Sequence, residues 1–121
     1  MFEIRVSSEF SSAHSLRGYR GKCEELHGHN WKIEVSVSAK ELNKSGMVMD
    51  FKELRSRLNN VIAKLDHKHL NELSYFKKVN PTSENIAKYI FNELAVGKLA
   101  YTIDKVTVWE SENSCASYSL K

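Results

Sequence analysis

The stretch CEELHGHNW, Cys23–Trp31, places a thiol four residues before a His-x-His pair that opens a segment of alternating residues. The alternation predicts a β-strand, and its apolar face carries both histidines. Side chains two apart on a strand point the same way, with Cα atoms roughly 6.6 Å apart, so His27 and His29 can reach one ion. A metal held beside a potential thiolate base indicates an enzyme. The residues that share this face are His27, His29, Trp31, Ile33, Val35 and Val37.

The amino-terminal segment has the same period of two. Its even positions carry most of its apolar side chains, and its odd positions carry Glu3, Arg5 and Glu9. The pattern predicts a strand whose even face is covered. His14 is in phase with that face if the strand continues to it. The even positions are Phe2, Ile4, Val6, Ser8, Phe10, Ser12 and His14.

The rest of the chain predicts two amphipathic helices followed by two strands. Asp50 is placed to cap the first helix, whose apolar stripe includes Phe51 and continues to a polar cluster at residues 65–71. Thr82 or Ser83 caps the second, and Gly97 ends it. The order ββααββ predicts an α+β domain spanning residues 1–121, an antiparallel four-stranded sheet with two helices on one face. The two final strands are expected at residues 101–110 and at about 115–120.

Composition narrows the functional classes. The chain has 121 residues, 41% hydrophobic and 27% charged, as in an ordinary globular domain. A net charge of +3 is too small and too scattered to indicate nucleic-acid binding, although it suits an anionic small molecule. No apolar run approaches membrane-spanning length, and residues 1–5 are not typical of a signal peptide. Two cysteines far apart favour a reduced, cytoplasmic setting.

Imidazole is a preferred zinc ligand, and catalytic zinc sites commonly have three protein ligands with a fourth position open. His14, His27 and His29 form such a set, although one or more could simply be packed or surface histidines. Cys23 could be a further ligand, a base or nucleophile favoured as thiolate by Lys22 and a metal, or a small buried hydrophobe. These alternatives stay open from position alone. Cys115 is interpreted as a packing residue.

Two further sites carry carboxylates. Asp66-His67 supplies the components of an acid–base pair, but the same residues could be a solvated aspartate and a histidine at a helix end. His69 is equally near in sequence, and spacing does not choose between the two histidines. Glu110 is in phase with Val106 and Val108, which is unusual for a carboxylate. It is either an inward-facing group that binds paired N–H donors of a planar heterocycle or a solvated residue at a strand end.

Six motifs in order resemble the 6-pyruvoyltetrahydropterin synthase family over nearly the whole chain. Three residues separate Cys23 from His27, which is the gap of the queuosine-pathway branch, whose members form a 6-carboxytetrahydropterin. The pyruvoyl-forming enzymes usually have a longer gap. In a folate-related branch, glutamate replaces or supplements this cysteine, and Glu24 and Glu25 leave that branch open. The motifs are Phe10–His14, Cys23–His29, Gly46–Phe51, Leu65–Asn71, Asn80–Asn85 and Trp109–Glu110.

The resemblance implies the tunnelling fold, in which ββααββ subunits assemble into an oligomeric β-barrel, commonly a hexamer built as a dimer of trimers. It implies zinc bound by His14, His27 and His29, with Cys23 as base and Asp66 and His67 as acid–base partners. Glu110 would anchor the pterin, helped by Thr82, Ser83 and Glu84 from a neighbouring subunit. The implied substrate is 7,8-dihydroneopterin triphosphate. Arg17, Arg20, Lys22 and Lys105 are candidates to contact its triphosphate.

Three other functions are compatible with the same residues. The nearest is the pyruvoyl-forming reaction on this fold, which releases only triphosphate. A zinc hydrolase would use metal-bound water as its nucleophile. A binding module with a structural metal would turn nothing over, and removing its metal should unfold it.

Overall fold

A computed structural model describes residues 1–21, 25–96 and 101–121, and its sheet is four-stranded and antiparallel. The strands are β1 (Phe2–His14), β2 (His27–Ala39), β3 (Thr102–Ser111) and β4 (Ser114–Tyr118). Their order in the sheet is the order in the chain, with the helices inserted between β2 and β3. The predicted α+β architecture is confirmed.

The helical segment contains α1 (Phe51–Ile62), a 3-10 turn (Leu70–Glu72), α2 (Ser74–Lys78) and α3 (Ser83–Leu94). Asp50 caps α1 by accepting from the N–H of Lys52 at 2.8 Å, as predicted. Thr82, and not Ser83, caps α3. None of the helices in the described ranges is long and apolar enough to cross a membrane.

Three details differ from the sequence prediction. α1 ends at Ile62, before the predicted polar cluster, and turns follow it. The five-residue α2 is an additional helix beyond the two predicted, because a helix of that length shows too little periodicity to be recognised; its buried Phe76 anchors it in the core. Phe51 is 54% exposed because it begins α1. The predicted helix end at Gly97 lies outside the described residues.

The hydrophobic core lies between the sheet and the helices α1 and α3. The strand faces predicted to be covered supply the sheet side of this core, which includes Val6 and Phe10 on β1 and apolar residues of β2 and β3. The stripe of α3 is buried as predicted, and Met49 adds a core residue outside the regular elements. The core residues of α3 are Ile86, Ala87, Ile90, Phe91 and Leu94.

Leu58 is fully buried on α1, so Leu58→Ala should lower the free energy of unfolding by about 2–5 kcal/mol. The loss combines the transfer free energy of the removed methyl groups with the cavity that they leave. Leu42→Ala is the matched control, because Leu42 is 41% exposed and its truncation should change stability by less than about 0.5 kcal/mol. Chemical denaturation of both variants measures the difference. Equal losses would contradict this placement of the core.

Candidate functional site

Three imidazoles meet at one end of the β1–β2 ladder. His14 and His27 are the last register partners of the two strands, and His29 pairs with Ser12 two residues inward. Because alternate side chains share a face, all three rings project to the covered side of the sheet. Their centroids lie 4.6, 4.7 and 5.2 Å apart. The structure therefore brings together the three histidines that the sequence singled out.

Backbone carbonyls fix two of these rings. Nδ1 of His14 lies 2.7 Å from the carbonyl oxygen of Pro81, and Nδ1 of His27 lies 2.7 Å from that of Glu25. A carbonyl only accepts, so each Nδ1 donates, and each neutral ring then carries its lone pair on Nε2. The two Nε2 atoms face each other at 3.0 Å. Two lone pairs at that separation repel unless a cation or a shared proton lies between them.

Glu110 completes the cluster from β3. Its Oε1 lies 3.3 Å from Nε2 of His29, and its Oε2 accepts a hydrogen bond from Oγ of Ser83 at 3.2 Å. The donor atoms of the three histidines and Glu110 all lie within 4.8 Å of one another. Two ligands of a tetrahedral zinc ion with bonds of about 2.0 Å are about 3.3 Å apart. The 3.0 Å between Nε2 of His14 and Nε2 of His27 is close to that edge length.

The burial of these histidines also suits a metal site. His14 is almost completely buried, and Nε2 of His29 is buried without a hydrogen-bond partner among the described residues. Burial is the largest cause that lowers the pKa of both imidazoles, and at His14 the Pro81 carbonyl opposes it. Both rings are therefore biased toward the neutral form, which is the form that binds a metal. The residues present fit a zinc ion.

Asp66 and His67 form the expected pair, with Nδ1 of His67 3.0 Å from Oδ1 of Asp66. The same oxygen accepts from the N–H of Ser11 at 3.0 Å, and the N–H of His67 donates to the carbonyl of Ser11 at 2.7 Å. His67 has a φ of 54°, the left-handed region, and its side chain is 81% exposed. His69 instead lies 3.4 Å from Glu72, so the structure selects His67 as the partner of Asp66.

The Asp66–His67 pair lies beside the outer edge of β1, where it hydrogen-bonds to Ser11. His67 borders a cleft of about 390 Å³, and Ser11 and Asn30, which hydrogen-bond each other there at 2.7 Å, are out of phase with His14 and His29. By this alternation the imidazole rings project toward the helices, although His29 also lines the cleft. Among the described residues, no hydrogen bond or ion pair joins Asp66 or His67 to the three histidines. The cleft is lined by residues 11–13, residues 28–30, His67 and Lys68.

The depressed pKa of Asp66 gives a pH test. The hydrogen bond from the N–H of Ser11 is its largest cause, and contact with His67 adds to it. A carboxyl whose pKa is lower when folded contributes stability above its unfolded pKa, near 4, and loses that contribution as the pH falls through its folded pKa. Asp66→Asn keeps an acceptor for Ser11 but has no charge to titrate. Denaturation midpoints should therefore fall more steeply below about pH 4 in the wild type than in the variant; parallel curves would contradict this.

The remaining predicted site residues have varied positions. Thr82 caps α3, Ser83 contacts Glu110 within the same chain, and Glu84 is exposed. Arg17 donates to the carbonyls of Phe76 and Val79, so part of its guanidinium is already engaged.

Five further residues were named in the sequence prediction. Lys105 pairs with Ser36 along β3, five residues before Glu110. Arg20 is exposed. Cys115 is exposed on β4 and was expected to pack, so that prediction is wrong. Cys23 and Lys22 lie outside the described residues.

Comparison with known proteins gives one consistent family. The 6-pyruvoyl tetrahydropterin synthase profile matches residues 3–121. An Archaeoglobus fulgidus relative, provisionally named a 6-carboxy-5,6,7,8-tetrahydropterin synthase, is 46% identical over 93% of this chain and 91% of its own. The 6-carboxy-5,6,7,8-tetrahydropterin synthase of Haemophilus influenzae is 33% identical over 98% and 99%. The solved 6-pyruvoyl tetrahydropterin synthase of Caenorhabditis elegans superposes with a TM-score of 0.88 at 29% identity, over 99% and 96%.

Proposed function

The chain belongs to the 6-pyruvoyl tetrahydropterin synthase family, and from that premise we propose that it is a zinc-dependent lyase of the carboxy-forming branch. It converts 7,8-dihydroneopterin triphosphate and one water molecule to 6-carboxy-5,6,7,8-tetrahydropterin, acetaldehyde and triphosphate in the queuosine (7-deazaguanine) pathway of the cytoplasm. The supporting observation is the pair of Nε2 atoms that face each other at 3.0 Å beside Glu110. The short gap between Cys23 and His27 supports the branch.

His14, His27 and His29 are the proposed zinc ligands. The carbonyl partners of His14 and His27 keep Nδ1 of those two rings protonated and leave Nε2 free to bind. When bound, zinc supplies a Lewis acid that polarises the hydroxyls of the substrate side chain and stabilises negative charge on them. The covered location of the cluster limits the access of bulk water to the reacting carbons.

Glu110 is the proposed anchor of the pterin ring. A carboxylate accepts two parallel N–H donors from a planar heterocycle, and this two-point contact fixes the orientation of the ring. Ser83 holds Oε2 from the start of α3, so the carboxylate is oriented before the substrate arrives. Thr82 and Glu84 are proposed to border the same substrate, and Ser83 acts on it through Glu110.

Proton transfer is assigned to Cys23 and to the Asp66–His67 pair. The thiolate of Cys23 removes a carbon-bound proton, and the imidazole of His67, held by Asp66, returns protons elsewhere on the substrate. Since no described hydrogen bond or ion pair joins this pair to the imidazole cluster of its own chain, we assign it to the cluster of another copy. We therefore propose a homo-oligomer in which the sheets form a barrel and neighbouring copies complete each site, with a dimer of trimers as the favoured arrangement.

The direct test is turnover by the purified, zinc-loaded protein. Incubation with 7,8-dihydroneopterin triphosphate should yield 6-carboxytetrahydropterin and acetaldehyde in equal amounts, resolved by chromatography. The same reaction without protein gives the background. If neither product forms above that background, the proposed reaction is wrong.

A second candidate is the pyruvoyl-forming reaction, which the likeness to the Caenorhabditis elegans structure favours. That product keeps all three side-chain carbons, so no acetaldehyde is released. The same assay therefore separates the two reactions.

A further inference from the structure

The backbone that follows His14 is held by two asparagine side chains. His14 is the last residue of β1, and among the described residues no ladder restrains the chain beyond it. Oδ1 of Asn71 accepts from the N–H of Ser15 at 2.9 Å, and its amide donates to the Ser15 carbonyl at 2.8 Å. Asn80 makes the same pair of bonds with Arg17, at 2.9 and 3.0 Å. Each amide therefore acts as a clamp on the backbone, because it supplies the two hydrogen bonds that a neighbouring strand would have made.

These clamps also determine where the acceptor of His14 lies. Asn80 directly precedes Pro81, whose carbonyl accepts from Nδ1 of His14. The carbonyl of Asn80 in turn accepts from the side-chain amide of Asn85 at 2.9 Å and from the N–H of Thr82 at 2.8 Å. The segment that carries the acceptor is thus tied to α3 on one side and to the backbone after His14 on the other. The donor and its acceptor are held in one frame.

We propose that Asn71 and Asn80 are positioning residues of the metal centre, which set its zinc affinity by fixing His14 relative to the Pro81 carbonyl. The inference rests on the proposed zinc site and extends it to residues that contact neither metal nor substrate. Without a clamp, the end of β1 is free to fray and the His14 ring loses its fixed orientation. Loss of such an outer contact typically weakens metal binding about 10–100-fold.

The test compares zinc affinity across three alanine variants of the full chain. Asn71→Ala and Asn80→Ala each remove one clamp. Asn43→Ala is the matched control, because Asn43 also accepts two backbone N–H bonds, from Ser45 and Met47, in a turn remote from the cluster. Each metal-free protein is titrated with zinc in competition with a chromophoric chelator, and its melting temperature is recorded. Absorption of bound Co²⁺ in the visible range reports the geometry of the site.

We expect zinc affinity to fall about 10–100-fold in the two clamp variants, with an altered Co²⁺ spectrum, and to stay at the wild-type value in Asn43→Ala. Asn80→Asp keeps the acceptor for Arg17 and should lie between Asn80→Ala and wild type; it replaces the alanine variant if that one fails to fold. Clamp variants that melt earlier but bind zinc as tightly as wild type would overturn the inference. A wild-type protein that binds no zinc would instead refute the proposed zinc site itself.

Discussion

Replacing Cys23 with alanine should remove nearly all turnover of 7,8-dihydroneopterin triphosphate while leaving zinc binding unchanged. A positioned general base contributes about 10²–10⁴-fold to the rate, and alanine has no group to take the proton. In the proposed site the three histidines are the zinc ligands and the thiol is not one, so zinc should stay bound. Initial rates with saturating substrate, together with zinc content per chain, measure both effects.

Cys115→Ala is the matched control for this experiment. Cys115 is an exposed free thiol on β4, and its truncation should change neither rate nor zinc content. Retention of most activity in Cys23→Ala would contradict the assignment of the thiolate as base and would favour a zinc hydrolase that uses bound water. Loss of zinc together with activity would identify Cys23 as a ligand instead.

Removing the metal should abolish turnover without unfolding the chain. The cluster lies at one end of the sheet, whereas the core extends along the whole sheet between the strands, α1 and α3. Dialysis against a strong chelator should therefore eliminate product formation and preserve the far-ultraviolet circular dichroism spectrum, and added zinc should restore the rate. Unfolding on chelation would indicate a structural metal.

A histidine variant tests whether the metal that chelation removes is bound by this cluster. Binding energies of about 10–16 kcal/mol for four-ligand structural zinc sites correspond to about 2.5–4 kcal/mol per ligand, so His29→Ala should weaken zinc binding on the order of 10²–10³-fold. His69→Ala is the control, because His69 lies near Glu72 and outside the cluster. Equal effects of the two variants would contradict the assigned ligands.

The sequence predicted the parts of the fold that depend on a repeated pattern. The period of two predicted that His14, His27 and His29 share the covered face, and in the structure their donor atoms lie within 4.8 Å of one another and of Glu110. Pattern alone did not show that Glu110 contacts His29, because that contact depends on how strand β3 is placed beside strand β2. The cap at Asp50 was predictable because it is a local interaction.

Features that depend on long-range contacts were missed or left open. Nothing local distinguishes His67 from His69, and the choice comes from how residues 66–69 hydrogen-bond to the outer edge of β1. The clamps of Asn71 and Asn80 join residues more than fifty positions apart, so no spacing rule indicates them. Cys23, the residue with the largest predicted effect, is placed by the motif alone.

The left-handed backbone of His67 has a consequence for the evolution and engineering of this protein. Glycine adopts that conformation without steric cost, and an imidazole does not. An optimisation for thermal stability alone would therefore favour glycine at position 67 and would discard the proposed acid–base group. Selection for turnover acts in the opposite direction. Under the proposed mechanism stability and activity are opposed at this residue, and the histidine is retained for activity.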